Sequence, residues 1–275
     1  MQIHTTIASL RTALADARCT AFAPTMGNLH AGHISLMQAA RVHADTVVSS
    51  IFVNRIQFGP NEDFDSYPRT FQADCEQLEA AGVDHLFAPA EAELYPVPQH
   101  YFVLPASAHD NLLEGALRPG HFQGVATVVT KLFNIVQPQV ALFGKKDYQQ
   151  LMVIRSMVQE LNMPIEIIGC DIMRAADGLA LSSRNGYLSV EQRTEAPRLY
   201  ATLQKVAAAI TAGRRDFSAI EQEAMHSLAA HGWQPDYITI RQRHDLQVPQ
   251  DDAALVVLAA ARLGTTRLID NLEVG

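Results

Sequence analysis

His30 and His33 stand three residues apart in PTMGNLHAGHISLM, residues 24–37, between an apolar run and an amphipathic one. On a helix that spacing puts both imidazoles on one face, which is half of a zinc site, although the segment supplies no third ligand. A second reading is a plain turn, in which Pro24 to Gly27 end a strand and Gly32 permits close packing. A third is an anion site. A glycine-bearing turn from a parallel strand into a helix aims backbone N–H groups and the positive end of the helix dipole at its ligand. Two imidazoles beside a polyphosphate can also donate to oxygens whose charge grows in a transition state. The residue types alone leave all three readings open.

Three other segments could carry chemistry. FGKKDYQQ, residues 143–150, sets Lys145 and Lys146 side by side where an apolar strand meets a helix. One of these cations could neutralise an α-phosphate, and the Gln149 and Gln150 amides suit a polar substrate. The competing reading is a solvated turn with Asp147 as helix cap. LSSRN, residues 181–185, offers Ser182, Ser183 and Arg184 in a Gly-flanked loop, either to clamp a triphosphate or simply to link two domains. FVNRIQFGPNEDFDSYPRT follows a strand with Asn54 and Gln57, neutral amides suited to a hydroxy acid; its Pro60, Asn61 and Pro68 read as loop.

These groups need a scaffold, and the order of elements supplies one. Apolar strand-like runs (CTAFAP, DTVVSSIFV, HLFAP, VALFG, IEIIGCDI) alternate with helix-period segments, the signal of βαβ units in a parallel sheet covered on both faces. Right-handed crossovers then gather the strand C-terminal ends on one edge, where open α/β sheets bind ligands. Beyond Ile172 the texture changes to a polar loop, then one long helix over SVEQRTEAPRLYATLQKVAAAITAG. Ser189 with Gln192 reads as a capping box and Gly213 as its stop. A second box, Ser218 with Glu221, opens another helix, and YITIRQ, ALVVLAAA and RLID read as strands. The expectation is an α/β chain: a Rossmann-like nucleotide-binding domain over residues 1–175 and a smaller C-terminal α+β lid over 176–275.

Composition narrows the classes. With 21 Lys+Arg against 29 Asp+Glu, and a formal net charge of −8, the chain lacks the basic run that would track nucleic acid. Cys19, Cys75 and Cys170 form no CxxC and read as reduced core thiols. The apolar run from Ala253 to Ala261 is too short to span a bilayer, and MQIHTTIASL is no signal peptide, so the chain reads as soluble and cytoplasmic.

Taken together, PTMGNLHAGHISL, SIFVNRIQFGPNEDFDSYPRT, LEGALRPGHFQGV, KLFNIVQPQVALFGKKDYQQL, MRAADGLALSSRNGYL and RLIDN resemble the pantoate–beta-alanine ligases, over nearly the whole chain. The resemblance implies an acyl-adenylate mechanism with ATP, Mg2+, pantoate and beta-alanine, and a homodimer. It implies that Met26, Gly27, Asn28, Leu29, His30, Ala31, Gly32 and His33 line ATP, with His33 the general acid and His30 a second donor. It further implies that Lys146 stabilises the α-phosphate, and that Gly144, Lys145, Asp147, Met173, Leu181, Ser182, Ser183 and Arg184 complete the nucleotide site. Gln57 and Gln150, with Asn54 and Thr25, would hold the acid. The chain departs from the family pattern twice, with Arg55 where Pro is frequent and Lys145 where Glu is common. The second departure adds local positive charge. An adenylyltransferase acting on a phosphorylated acceptor would need cations where Asn54, Gln57 and Gln150 stand, and a nucleotide sensor would bind ATP without turnover.

Overall fold

Five apolar strands and one short edge strand form a parallel sheet: β1 (Gln2–His4), β2 (Thr20–Thr25), β3 (Thr46–Ile51), β4 (His85–Phe87), β5 (Val140–Gly144) and β6 (Glu166–Cys170). Their order is β1-β4-β3-β2-β5-β6, with Ala21 opposite both Val47 and Val140. The computed structural model describes residues 1–60, 62–250 and 254–275, apart from the side chain of Ala108. Asn61 of the proline-bearing loop and Ala253 of the apolar run lie outside the described residues.

The sheet is buried on both sides because its central strands are apolar on both faces. Phe22 and Val48 point into one core with Leu10 of α1 (Ile7–Leu14). Ala21, Ala23 and Val47 point into the other with Leu36, Met37 and Ala40 of α2 (Ala31–His43) and Cys75 and Leu78 of α3 (Phe71–Ala80). Three short helices follow β4: α4 (Glu91–Leu94), α5 (Ser107–Asp110) and α6 (Leu113–Leu117). Beyond them α7 (His121–Val136) and α8 (Tyr148–Glu160) complete the first core. β1 escaped the sequence reading, since QIH carries no apolar run; it is held at the edge by pairing with β4.

The C-terminal elements are α9 (Val190–Glu195), α10 (Arg198–Thr211), α11 (Phe217–Ala229) and the strands β7 (Trp233–Gln242), β8 (Leu255–Leu263) and β9 (Thr266–Val274). The strands form an antiparallel sheet in the order β7-β8-β9, and Leu199, Leu203, Val206 and Leu228 of α10 and α11 share its core. Two expectations are corrected here. The long helix from Ser189 is two helices, broken at Pro197, whose ring removes a backbone donor. The capping box at Ser189 forms as expected, with Ser189 Oγ 3.2 Å from Gln192 N, but the one at Ser218 does not. Ser218 lies inside α11, and Glu221 instead accepts from Thr239 Oγ1 and Ile240 N of β7.

The described residues fall into two compact units: Met1–Lys145 with Gln149–Asp171, and Lys146–Tyr148 with Ile172–Gly275. Among them no helix is long and apolar enough to cross a membrane.

Candidate active site

The loop from β2 to α2 is held almost entirely by its own backbone donors. Gly27 takes φ +82° and Asn28 φ +49°, left-handed values that turn the chain sharply. Asn28 N and Leu29 N then donate to the carboxylate of Asp74 at 2.9 and 2.8 Å, while Gly27 N donates to Thr25 Oγ1. Asp74, buried on α3, also accepts from Thr70 Oγ1 at 3.1 Å. A Cβ on Gly27 would lie 3.0 Å from Asp74 Oδ2, so only glycine brings the loop this close.

His30 is the N-cap of α2, and its side chain forms a reciprocal pair with His33. Gly32 N donates to His30 Nδ1 at 3.1 Å, and His30 N donates to His33 Nδ1 at 3.3 Å. An imidazole nitrogen that accepts carries no proton, so each neutral ring holds its proton on Nε2. The rings stack with centroids 4.0 Å apart. This revises one expectation: the amides of Gly27 to His30 and Gly32 to Ile34 are engaged inside the protein rather than turned toward a ligand.

Beside β3, Asn54 precedes a single 3-10 turn, Arg55–Gln57. Asn54 is 1% exposed and its Nδ2 donates to Gln57 Oε1 and to Gly124 O, while its Oδ1 accepts from Tyr95 Oη. Its polar atoms therefore orient Gln57, whose own Nε2 lies 3.4 Å from Met26 Sδ. Thr25, likewise expected at substrate, spends its hydroxyl on Ser50 O and Gly27 N. Gln149 is engaged by Glu114 N, His109 O and Leu112 O, which leaves Gln150 as the amide of that pair with a half-buried side chain not tied up in this way. The turn is packed from below by α7: a Cβ on Gly124 would meet Ile56 O at 2.5 Å. His121 Nδ1 lies 2.9 Å from Gln57 O, and Arg118 links His121 Nε2 to the carboxylate of Glu62. Burial, then the nearby Arg118 cation, push the His121 imidazole down to about 4.

At the end of β5 the chain passes Gly144 and Lys145, whose ammonium pairs with Asp171 at 2.7 Å. The extra cation noted in the sequence is thus matched by a carboxylate.

In the second unit Lys146 Nζ lies 3.9 Å from Asp147 Oδ2, and the Lys146 carbonyl accepts from Asn271 Nδ2 at 3.0 Å. Asp147 closes the 3-10 turn Lys145–Asp147 that leads into α8. Leu181 N donates to Met173 O at 2.9 Å, tying together two positions named separately from sequence. Ser182 caps the 3-10 helix Ser183–Tyr187 by accepting from Arg184 N. This loop is anchored by Arg174, which forks onto Asp270 at 2.7 and 2.9 Å and lies 3.5 Å over the Tyr200 ring. Burial pushes the Asp270 carboxyl up even with that guanidinium on it.

A family described as Pantoate-beta-alanine ligase matches residues 2–273. The chain belongs to that family. Pantothenate synthetase of Chromobacterium violaceum is 59% identical over 275 residues, covering 100% of this chain and 99% of that one. A pantothenate synthetase structure from Thermus thermophilus shares 46% identity at a TM-score of 0.94, over 99% of both chains. The pantoate-beta-alanine ligase structure of Francisella tularensis, described in complex with beta-gamma ATP and beta-alanine, shares 35% identity at 0.81, over 99% of this chain and 97% of that one. As a member of that family the chain is a ligase of pantothenate biosynthesis. Reading the ligase from sequence overlooked Asp74, the Glu62–Arg118–His121 chain and Asn271 as supports. Asp74 did leave a trace, a carboxylate on the apolar face of α3 beside Cys75 and Leu78.

Proposed function

We propose that this ligase activates pantoate as an acyl adenylate and then transfers it to beta-alanine. A carboxylate oxygen of pantoate attacks the α-phosphorus of ATP, the Pα–O–Pβ bond breaks, and pyrophosphate leaves. The beta-alanine amine then attacks the acyl carbon, loses a proton and displaces AMP. A bare carboxylate resists an amine at neutral pH; the adenylate supplies the leaving group.

The observation that carries this reading is the reciprocal His30–His33 cap. It holds the proton of each neutral ring on Nε2, at the strand-end edge of a parallel sheet, which supports reading the two rings as donors to phosphate oxygens. In the proposal His33 donates its Nε2–H as a hydrogen bond to the departing pyrophosphate, in place of the full proton transfer expected of a general acid, and His30 is the second donor; Lys146 and Arg184 balance α- and γ-side charge, and Ser182 joins them. Met26 to His33, Gly144 to Asp147, Met173 and Leu181 to Arg184 line ATP. Gln57 and Gln150 hold pantoate, with Asn54 and Thr25 orienting their surroundings. Mg2+ would neutralise phosphate charge. It would be held chiefly through ATP oxygens, which needs no protein cage. Residues 1–175 bind ATP and pantoate, residues 176–275 serve as the lid, and the enzyme works as a cytoplasmic homodimer.

The test supplies ATP, Mg2+ and pantoate and follows pyrophosphate, then adds beta-alanine and follows AMP. Pantoate-dependent pyrophosphate is expected first, with steady AMP release only after the amine. Pyrophosphate that ignores pantoate overturns the reading.

A further inference from the structure

We infer that His121 is a positioning residue for pantoate, acting through the backbone of Gln57 in a tautomer that Arg118 and Glu62 impose. The inference rests on the reading of Gln57 as a pantoate ligand. Its physical basis is a directional chain of hydrogen bonds. Glu62 takes Arg118 in a fork, Nε to Oε1 and Nη2 to Oε2, both at 2.6 Å. This orients Arg118 so that Nη1 faces His121 Nε2 at 3.0 Å. A guanidinium can only donate, so Nε2 must accept, and the ring proton is forced onto Nδ1. Nδ1 then donates to the Gln57 carbonyl at 2.9 Å.

The opposite tautomer would set a lone pair against that carbonyl and an N–H against a cation. His121 thus carries the reverse proton placement of His30 and His33, which is a signature specific to this geometry. The carbonyl it grips belongs to a turn otherwise fixed by Asn54 from one side and the bare Cα of Gly124 from another. What the imidazole adds is the tilt of the Gln57 peptide, and with it the direction of the Gln57 amide. A loop carboxylate outside the turn thereby controls the aim of a residue that holds substrate.

The test uses the full-length enzyme. Long-range 1H–15N spectra of imidazole-labelled protein at neutral pH should show a protonated Nδ1 for His121 and a protonated Nε2 for His30 and His33. His121→Gln removes the donor from the Nδ1 position and should raise the pantoate KM about tenfold, with kcat and the ATP KM within about twofold. His121→Asn keeps an amide N–H where Nδ1 was and should stay within about threefold of wild type. In a Gln57→Ala background His121→Gln should add nothing. Should His121→Gln not fold, Arg118→Met releases the tautomer and should raise the pantoate KM in the same direction. A protonated Nε2 on His121, or a pantoate KM that ignores both variants while Gln57→Ala raises it, overturns the inference. If Gln57→Ala itself leaves the pantoate KM unchanged, the reading of Gln57 fails instead, and the spectra still report the tautomer.

Discussion

A hydrogen bond that fixes a proton is the smallest unit of this site. Because His30 and His33 each accept at Nδ1, their capacity to donate resides at Nε2. His33→Ala and Lys146→Ala are each expected to lower the single-turnover rate of pantoate-dependent pyrophosphate release by ~10²–10³ while far-UV circular dichroism stays native. Near-normal release from either variant would remove that residue from the proposal. At this scale the sequence displayed which groups gather but not how they are wired. HxGH announces two histidines; that each ring caps the other's turn depends on φ/ψ at His30, which no spacing specifies. Asn54 and Gln57 looked equivalent as amides; both are buried, and the hydrogen bonds of Asn54 to Gln57 Oε1, Gly124 O and Tyr95 Oη separate the brace from the amide it braces.

Among the elements, the β2–α2 loop depends on a helix that follows it by forty residues. Asp74→Ala would leave Asn28 N and Leu29 N without acceptors; unmet buried donors cost about 1–3 kcal/mol each, so a clear fall in urea midpoint and a raised ATP KM are expected. The two capping boxes give a sharper contrast. Ser189→Ala should destabilise by about 1 kcal/mol, whereas Ser218→Ala, whose hydroxyl caps nothing, should be close to neutral by thermal melting. The sheet and its helices were legible because apolar strands and 3.6-residue periods are written locally. The edge strand β1 and the break at Pro197 were less so: the first exists through pairing with β4, and the second was a proline inside an otherwise strong helical period.

For the molecule as a whole, several histidines are stored neutral. Burial depresses His121 to about 4, and burial also lowers His4 and His85. A base whose folded value lies below its unfolded value near 6.5 contributes stability that is present at neutral pH and lost as pH falls through that interval. For His121 alone the loss is about 3 kcal/mol by pH 4. Glu62, held low by Arg118 against its own desolvation, acts in the same direction at still lower pH. Denaturant midpoints should therefore decline between pH 6.5 and 4, and His121→Asn should flatten that decline; an unchanged slope would contradict the neutral assignment. The net charge and the apolar patterning gave no hint of this acid sensitivity, because it arises where α7 buries an imidazole against a guanidinium.

The reciprocal cap has a last consequence, for what the site refrains from doing. An acyl adenylate is a mixed anhydride, and a neutral imidazole is a good acyl acceptor through its unprotonated nitrogen. In His30 and His33 that nitrogen already receives a backbone N–H, so its lone pair is committed to the fold. In the proposed mechanism the two rings donate to phosphate without capturing the acyl group meant for the amine.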